Sequence, residues 1–391
     1  MSYRLDQLFE LQMGKTPARA NPSYWNGTNK WVSISDLSGY DKYVTDTKEC
    51  ISDLGVSESG IKVVPKNTVI MSFKLSIGKT AITTEDVYTN EAIMAFIDKG
   101  VCEINTDYLY YLFSGTDWNK GTNKAVLGLT LNKATLSKKE IDIPDLHTQN
   151  KVIKKLDALS NVIHLQKLSL DKLDELIKSR FVEMFGDPAI NPYNWQSLKI
   201  QDAVAVKPQN GLYKPQSDYV EDNSGVPILR IDGFYNGKVV DYRNLKRLIC
   251  TKEEFDKYQL VENDIVINRV NSLDYLGKCA RISGLIEGTV YESNMMRMHF
   301  IDERFNPIYL TFLLCSEYTY DQIISHAKKA VNQASINQQD VLDFNIFEPP
   351  IDLQNQFADF VTQVEKQKAT VQQSIDKLET LKKSLMQEYF G

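Results

Sequence analysis

Basic, amide and aromatic residues gather at a few points of this chain, most of them near a glycine or a turn. In the amino-terminal half they are Tyr24, Trp25 and Asn26, then Lys74 and Lys79 flanking a loop, then Lys120, Asn123 and Lys124 in a glycine-bearing segment. In the carboxy-terminal half they are Tyr213 and Lys214, then Arg269, Asn271 and Lys278, then His326, Lys328 and Lys329. Cationic side chains donate to phosphate oxygens and guanine edges, and amide side chains pair with adenine edges. Lys79 and Lys278 hold matching positions in an internal repeat, as do the regions of Lys124 and Lys328.

Bond-breaking chemistry finds no comparable support, and the chain is expected not to be an enzyme. Ser76-Ile77-Gly78-Lys79-Thr80 ends like a phosphate-cradling loop, but the upstream glycine that such a loop requires is Phe73. Gly55–Gly60 is one residue too long for a nucleophile elbow. Asn21-Pro22-Ser23-Tyr24 and Asn191-Pro192-Tyr193-Asn194 lack the second proline of an amino-methyltransferase loop, and no glycine-rich cofactor loop follows a strand. Asp46-Thr47-Lys48 is too short a match to a nuclease pattern to carry weight. The four histidines and five cysteines show no metal-ligand spacing and no C-x-x-C pair, so neither a metal site nor a disulfide frame is expected.

Composition sets the frame for these clusters. With 391 residues, 42% hydrophobic and 25% charged, the chain is long enough for two or three packed domains. It has no apolar run of membrane-spanning length and no signal-peptide pattern at its start, so a reduced, cytoplasmic setting is expected. The net charge of −6 argues against a broadly basic surface. Any contact with nucleic acid must use local patches or a partner's charge.

The positioning elements emerge from a repeat. Residues 171–186 (DKLDELIKSRFVEMFG) and 376–391 (DKLETLKKSLMQEYFG) are identical at nine of sixteen positions, at an offset of 205. Weaker matches run upstream: Lys66–Ile70 with Glu262–Val266, Gly78-Lys79 with Gly277-Lys278, Asn105 with Asn306, and Asn132 with Asn332. The chain is one unit of about two hundred residues written twice. Each copy opens with short β-branched and aromatic runs punctuated by Gly, Asn and Pro, which predicts a compact α+β domain. Short helices are expected at Asp107–Phe113 and Ile308–Leu314.

Each copy closes differently, with apolar residues stepping alternately by four and three. Leu156, Leu159, Ile163, Leu170, Leu173 and Ile177 form the first series, and Val361, Val364, Val371, Ile375, Leu378 and Leu385 the second. A 3.5-residue period held over nearly five heptads predicts paired long helices. The expected organisation is a domain over 1–146, a helix over 147–186, a linker over 187–195, a second domain over 196–348 and a second helix over 349–391.

This plan resembles the specificity subunit of type I restriction–modification systems. Leu11–Pro17, Tyr24-Trp25 and Trp31–Asp36 look like the opening of such a subunit's target recognition domain. Met184-Phe185-Gly186-Asp187-Pro188 leading to Trp195 looks like its central junction, and Pro144 with Gln149 and Pro349 with Gln354 match its lead-in to the helices. The resemblance implies two target recognition domains, each reading one half of a bipartite double-stranded DNA target. It implies that the helices pair as an antiparallel coiled coil with pseudo-two-fold symmetry, spacing the domains and docking two methyltransferase subunits. Those partners would use S-adenosylmethionine, and restriction/translocase subunits would use ATP with Mg, while this chain holds no cofactor. The competing expectation is a non-catalytic, pseudo-symmetric scaffold that binds proteins.

Overall fold

The computed structural model describes residues 1–74, 76–118 and 132–391. The chain forms two compact units, one of Met1–Leu168 with Gln372–Gly391 and the other of Ser169–Val371. Each unit therefore holds one α+β domain and a part of both long helices.

The first unit is built on a four-stranded antiparallel sheet in the order Phe9–Met13, Ile93–Asp98, Val69–Ser72 and Thr80–Ile82. Val69–Ser72 is buried at every position, as a continuous apolar run in a central strand should be. A second sheet places Trp25–Val32 antiparallel to Glu49–Ile51 and parallel to Tyr88–Thr89.

The second unit repeats this topology. Its first sheet runs Val204–Asn210, Met295–Phe300, Ile265–Asn268 and Cys279–Arg281, extended by Gly237–Val239 and Phe234–Tyr235. In the second sheet Val226–Leu229 pairs antiparallel with Lys246–Leu248 and parallel with Val290–Tyr291. Asn67 and Asn263, matched in the repeat, both take positive φ (60° and 70°) just before the central strand. Asparagine tolerates this left-handed turn better than most residues.

Two buried amides tie each domain to its long helix. Gln149 Oε1 accepts from the Asn105 backbone N–H at 2.8 Å, and its Nε2 donates to the carbonyls of Glu103 and Pro144, both at 2.9 Å. Gln354 repeats the set with Asn306 N–H (2.8 Å), Arg304 O (3.1 Å) and Pro349 O (2.8 Å). Both side chains are wholly buried, so the proline–glutamine signature is a satisfied hydrogen-bond staple. The stapled asparagines also cap the short helices Thr106–Gly115 and Pro307–Leu314, whose bounds lie within a few residues of those expected.

One repeat match shifts. Asn132 caps the helix Lys133–Ser137, but its structural counterpart is Asn337, which caps Gln338–Asp343. Asn332, matched to Asn132 on sequence, instead lies in the turn joining Lys328–Lys329 to Ala334–Ser335. The local likeness of the two Asn-bearing segments hid an offset that hydrogen bonding reveals.

The long helices span Leu146–Phe185 and Ile351–Phe390. Leu156, Ile163, Ile177, Val361, Val364 and Ile375 are buried, and Leu159, Leu170, Leu173, Val371, Leu378 and Leu385 are half-buried. Within the first unit Lys155 bonds Tyr389 (3.2 Å), Lys167 pairs with Glu379 (2.8 Å) and Gln166 Nε2 donates to Ser374 Oγ (2.9 Å). Within the second, Asp174 pairs with Lys368 (2.5 Å), and the Phe181 and Phe185 rings each lie 5.5 Å from Phe357. In each unit the partners run in opposite senses along the two helices.

Residues 187–195, expected as a linker, form an ordered cap. Tyr193 donates to Glu183 O (3.1 Å), and the Trp195 indole donates to Phe185 O (2.9 Å). Both carbonyls lie in the last helical turn, where no intrahelical donor remains for them. No helix among the described residues is long and apolar enough to cross a membrane.

Candidate nucleic-acid interface

In each domain, strand ends from distant segments meet at one rim. In the second unit Arg230 follows the largely buried strand Val226–Leu229, and Glu292 follows Val290–Tyr291. Glu292 N–H donates to Leu229 O (3.0 Å), Arg269 N–H to Asn294 O (2.9 Å) and Gly211 N–H to Met295 O (3.1 Å). The first unit makes the same bonds from Asn90 to Val32, from Phe73 to Ala92 and from Gly14 to Ile93, at 3.0, 3.0 and 3.1 Å. Gly14 and Gly211 are forced by this frame: a Cβ would lie 2.1 Å from Thr89 O in one and 2.3 Å from Glu292 O in the other.

The frame carries different side chains. Ser33, Phe73 and Asn90 stand in the first unit where Arg230, Arg269 and Glu292 stand in the second. Arg269 donates from Nη1 to Ser293 O (3.1 Å), while its buried Nε has no hydrogen-bond partner. It has no ion-pair partner among the described residues. Arg230 Nε is 3.6 Å from Glu292 Oε2. Burial pushes the Glu292 carboxyl above the usual glutamate range, opposed by the hydrogen bond it accepts from Ile231 N–H and by Arg230.

A further small sheet joins residues far apart in sequence. Lys328 pairs with Ser335 and Lys329 with Ala334, and these two pair in turn with Val270 and Asn271. Arg269 and Asn271 thus share one surface element with Lys328 and Lys329, both exposed. Asn271 is half-buried, and its Oδ1 accepts from Ser272 N–H (2.8 Å). His326 ends the helix Glu317–His326, with Nδ1 2.8 Å from Gln322 O and its ring 5.5 Å from Phe344. Tyr213 is 77% exposed, next to Leu212, whose N–H donates to Tyr291 O (2.8 Å). Leu212 also bridges to Glu292, so Tyr213 follows a residue held on the rim.

Several other candidate residues are engaged inside their unit. Lys278 Nζ donates to Ile231 O (2.7 Å) and sits 3.8 Å from the Tyr235 ring centre; burial lowers its pKa. Lys214 pairs with Glu254 at 2.9 Å, and this contact raises its pKa. Trp25 packs edge-on against Trp31 (5.2 Å) beneath the Arg19 guanidinium (3.9 Å), and Tyr24 donates to Glu58. Asn26 is exposed at a positive-φ turn (61°). Lys74 is half-buried, with Nζ 5.3 Å from the Phe73 ring centre. Lys79 is exposed and makes no side-chain bond among the described residues. Lys120, Asn123 and Lys124 lie outside the described residues. Arg230 and Glu292 were not among the expected residues, although the Gly14–Gly211 match could have marked the rim beside them. No group of three or more potential metal-ligating side chains occurs among the described residues.

The duplicated frame, the stapled helices and the divergent rims have a counterpart among known proteins. The family model for the type I restriction modification DNA specificity domain matches residues 1–175 and again 192–380. The chain belongs to this family. It is 23% identical over 269 residues to the type I restriction enzyme MjaIX specificity subunit of Methanocaldococcus jannaschii, covering 64% of this chain and 61% of that one. It is 24% identical over 240 residues to the EcoKI specificity subunit of Escherichia coli strain K12, covering 58% and 50%. The match thus spans less than two thirds of either relative's length. A chain solved in work on complex assembly and conformational transition of the type I R-M system shares the fold. Its TM-score is 0.61 at 15% identity, over 100% of this chain and 97% of that one.

Proposed function

We propose that this chain is the sequence-reading, non-catalytic subunit of a type I restriction–modification enzyme, each domain reading one half of a bipartite DNA target. The observation that carries this reading is the duplicated frame: two domains keep the same rim backbone while changing the side chains it presents. Duplex recognition asks for that separation, because phosphate contacts and scaffold position a protein while a few base-facing groups choose the sequence. The opposed helix contacts within each unit support a single antiparallel coiled coil with pseudo-two-fold symmetry. It would space the half-sites and dock two methyltransferase subunits. The overall charge of −6 favours a shared grip in which those partners supply much of the phosphate contact. S-adenosylmethionine would act in the methyltransferase subunits, and ATP with Mg in the restriction/translocase subunits.

The test is co-expression with its methyltransferase in a methylation-free host, followed by sequencing of modified adenines. The expected result is one bipartite motif with a fixed spacer. A correctly folded complex that methylates without sequence preference, or a chain that forms no complex with the methyltransferase, would sink the proposal.

A further inference from the structure

We propose that Arg230 reads a guanine in the half-site of the second domain and that Glu292 is its positioning residue. The inference deepens the DNA-reading assignment above and rests on it. Arg230 stands at the rim with its side chain 29% exposed, beside a Glu292 side chain only 11% exposed. Glu292 is held by a hydrogen bond at one oxygen and faces the guanidinium with the other, within ion-pair range though not hydrogen-bonded to it, so Arg230 Nε is buried without a hydrogen-bond partner. Oε1 accepts from Ile231 N–H at 2.5 Å, and Oε2 faces Arg230 Nε at 3.6 Å. The loop that carries Arg230 is held again from below, where Lys278 Nζ donates to Ile231 O at 2.7 Å. The Tyr219 ring lies 5.8 Å from the guanidinium carbon.

The carboxylate lies on the Nε side of the guanidinium, at ion-pair distance without a hydrogen bond. Nη1 and Nη2 make no hydrogen bond with any described residue. The result is an oriented two-pronged donor at the end of a sheet. Guanine offers two adjacent acceptors, O6 and N7, in the major groove. Adenine presents N7 beside an amino donor, which cannot accept from the second prong. A phosphate could also accept both prongs, but it would bring negative charge against Glu292 and against Asp232, whose Oδ1 is 3.9 Å from Arg230 Nε. The neutral edge of a base meets no such repulsion. The first unit has Ser33 and Asn90 at the matching positions, and both serve the backbone. Ser33 Oγ accepts from Asp36 N–H (3.1 Å), and Asn90 Oδ1 accepts from Ala92 N–H (2.7 Å). The guanine-reading fork therefore belongs to one half-site alone.

The experiment uses the assembled complex with its methyltransferase, the target motif found from modified-base sequencing, and duplexes substituted one base pair at a time. For Arg230→Ala, discrimination at a single G·C pair of the second half should fall by roughly 5- to 150-fold, with the first half unchanged. Arg230→Lys keeps the charge but has no fork and a shorter reach, so it should lose most of the same discrimination. Glu292→Gln separates positioning from simple repulsion. It should lower discrimination at that pair while leaving binding to non-target duplex equal or tighter. If Glu292 only repels DNA, affinity for every duplex rises together and discrimination is unchanged. Preserved base preference at every position in both Arg230→Ala and Arg230→Lys overturns the assignment while leaving DNA reading intact. Absence of any base preference in the unsubstituted complex defeats the broader function instead.

Discussion

The rim of the first domain and the rim of the second share their backbone hydrogen bonds almost residue for residue, yet the three matched positions are uncharged in one, Ser33, Phe73 and Asn90, and charged in the other, Arg230, Arg269 and Glu292. Asn90 and Glu292 make the same bond to the preceding strand, to Val32 and Leu229. Gly14 and Gly211 pass equally close to it. Lys79 and Lys278 occupy matched positions, but Lys79 is exposed while Lys278 is spent on Ile231 O and the Tyr235 ring. The lesson is that equivalence in a repeat predicts a residue's backbone place and not its job. A side chain's job depends on neighbours contributed by other segments, and those have diverged.

The two units also differ in the core beside the long helices. Phe357, wholly buried among Phe181, Phe185 and Phe312, matches Val152 in the first unit. Phe357→Ala should destabilise the second unit by about 3–5 kcal/mol, as large-to-small aromatic changes do. Val152→Ala should cost the first unit about 2 kcal/mol, because it removes only two methyl equivalents. Hydrogen exchange resolved by residue reads the two units separately, and equal losses would show that they do not differ in core dependence.

The staples test sameness. Gln149→Ala and Gln354→Ala each strand buried backbone groups, and each should cost about 1–3 kcal/mol. If one is neutral while the other is not, the two lead-ins are not energetically equivalent. Lysine exchange tests difference. Lys278→Ala should cost about 1 kcal/mol through the lost hydrogen bond, whereas Lys79→Ala should stay within about 0.5 kcal/mol. Thermal unfolding of both variants decides this.

The smallest effect is one of pH. Burial raises the Glu292 carboxyl above its unfolded value. The unfolded chain therefore releases this proton first, so stability is greatest below the ordinary glutamate range and falls as pH rises through the folded value. Glu292→Gln should remove that decline from the second unit. The first unit, with Asn90 in the same place, has no such contribution. An unchanged pH slope in the variant would mean that Glu292 is solvated as well in the native state as in the unfolded chain.

Much of the architecture was legible before any tertiary structure. The two helices, the short capped helices and the duplication all rest on patterns that are local or periodic in the chain. Other features were hidden for identifiable reasons. The match of Asn132 to Asn332 failed because two short segments look alike, and only the cap on Gln338–Asp343 shows that Asn337 is the counterpart. Residues 187–195 read as a linker because Gly186-Asp187-Pro188 ends the helix before them, yet Tyr193 and Trp195 cap that helix. The small sheet that joins Asn271 to Lys329 spans nearly sixty residues of sequence through Ala334, which no local pattern announces.

The sequence by itself determined that this chain is a repeat of an α+β domain followed by a long heptad helix, because periodicity, caps and turns act over a few residues. Tertiary structure alone decided which side chains stand together at each rim. Arg230, Arg269 and Glu292 come from three separate segments, and only folding sets Glu292 against Arg230 and ties Arg269 to Ser293 and Asn294 just after it. It also decided which charges are free, since Lys278 differs from Lys79 only through the carbonyl and ring that folding brings to it.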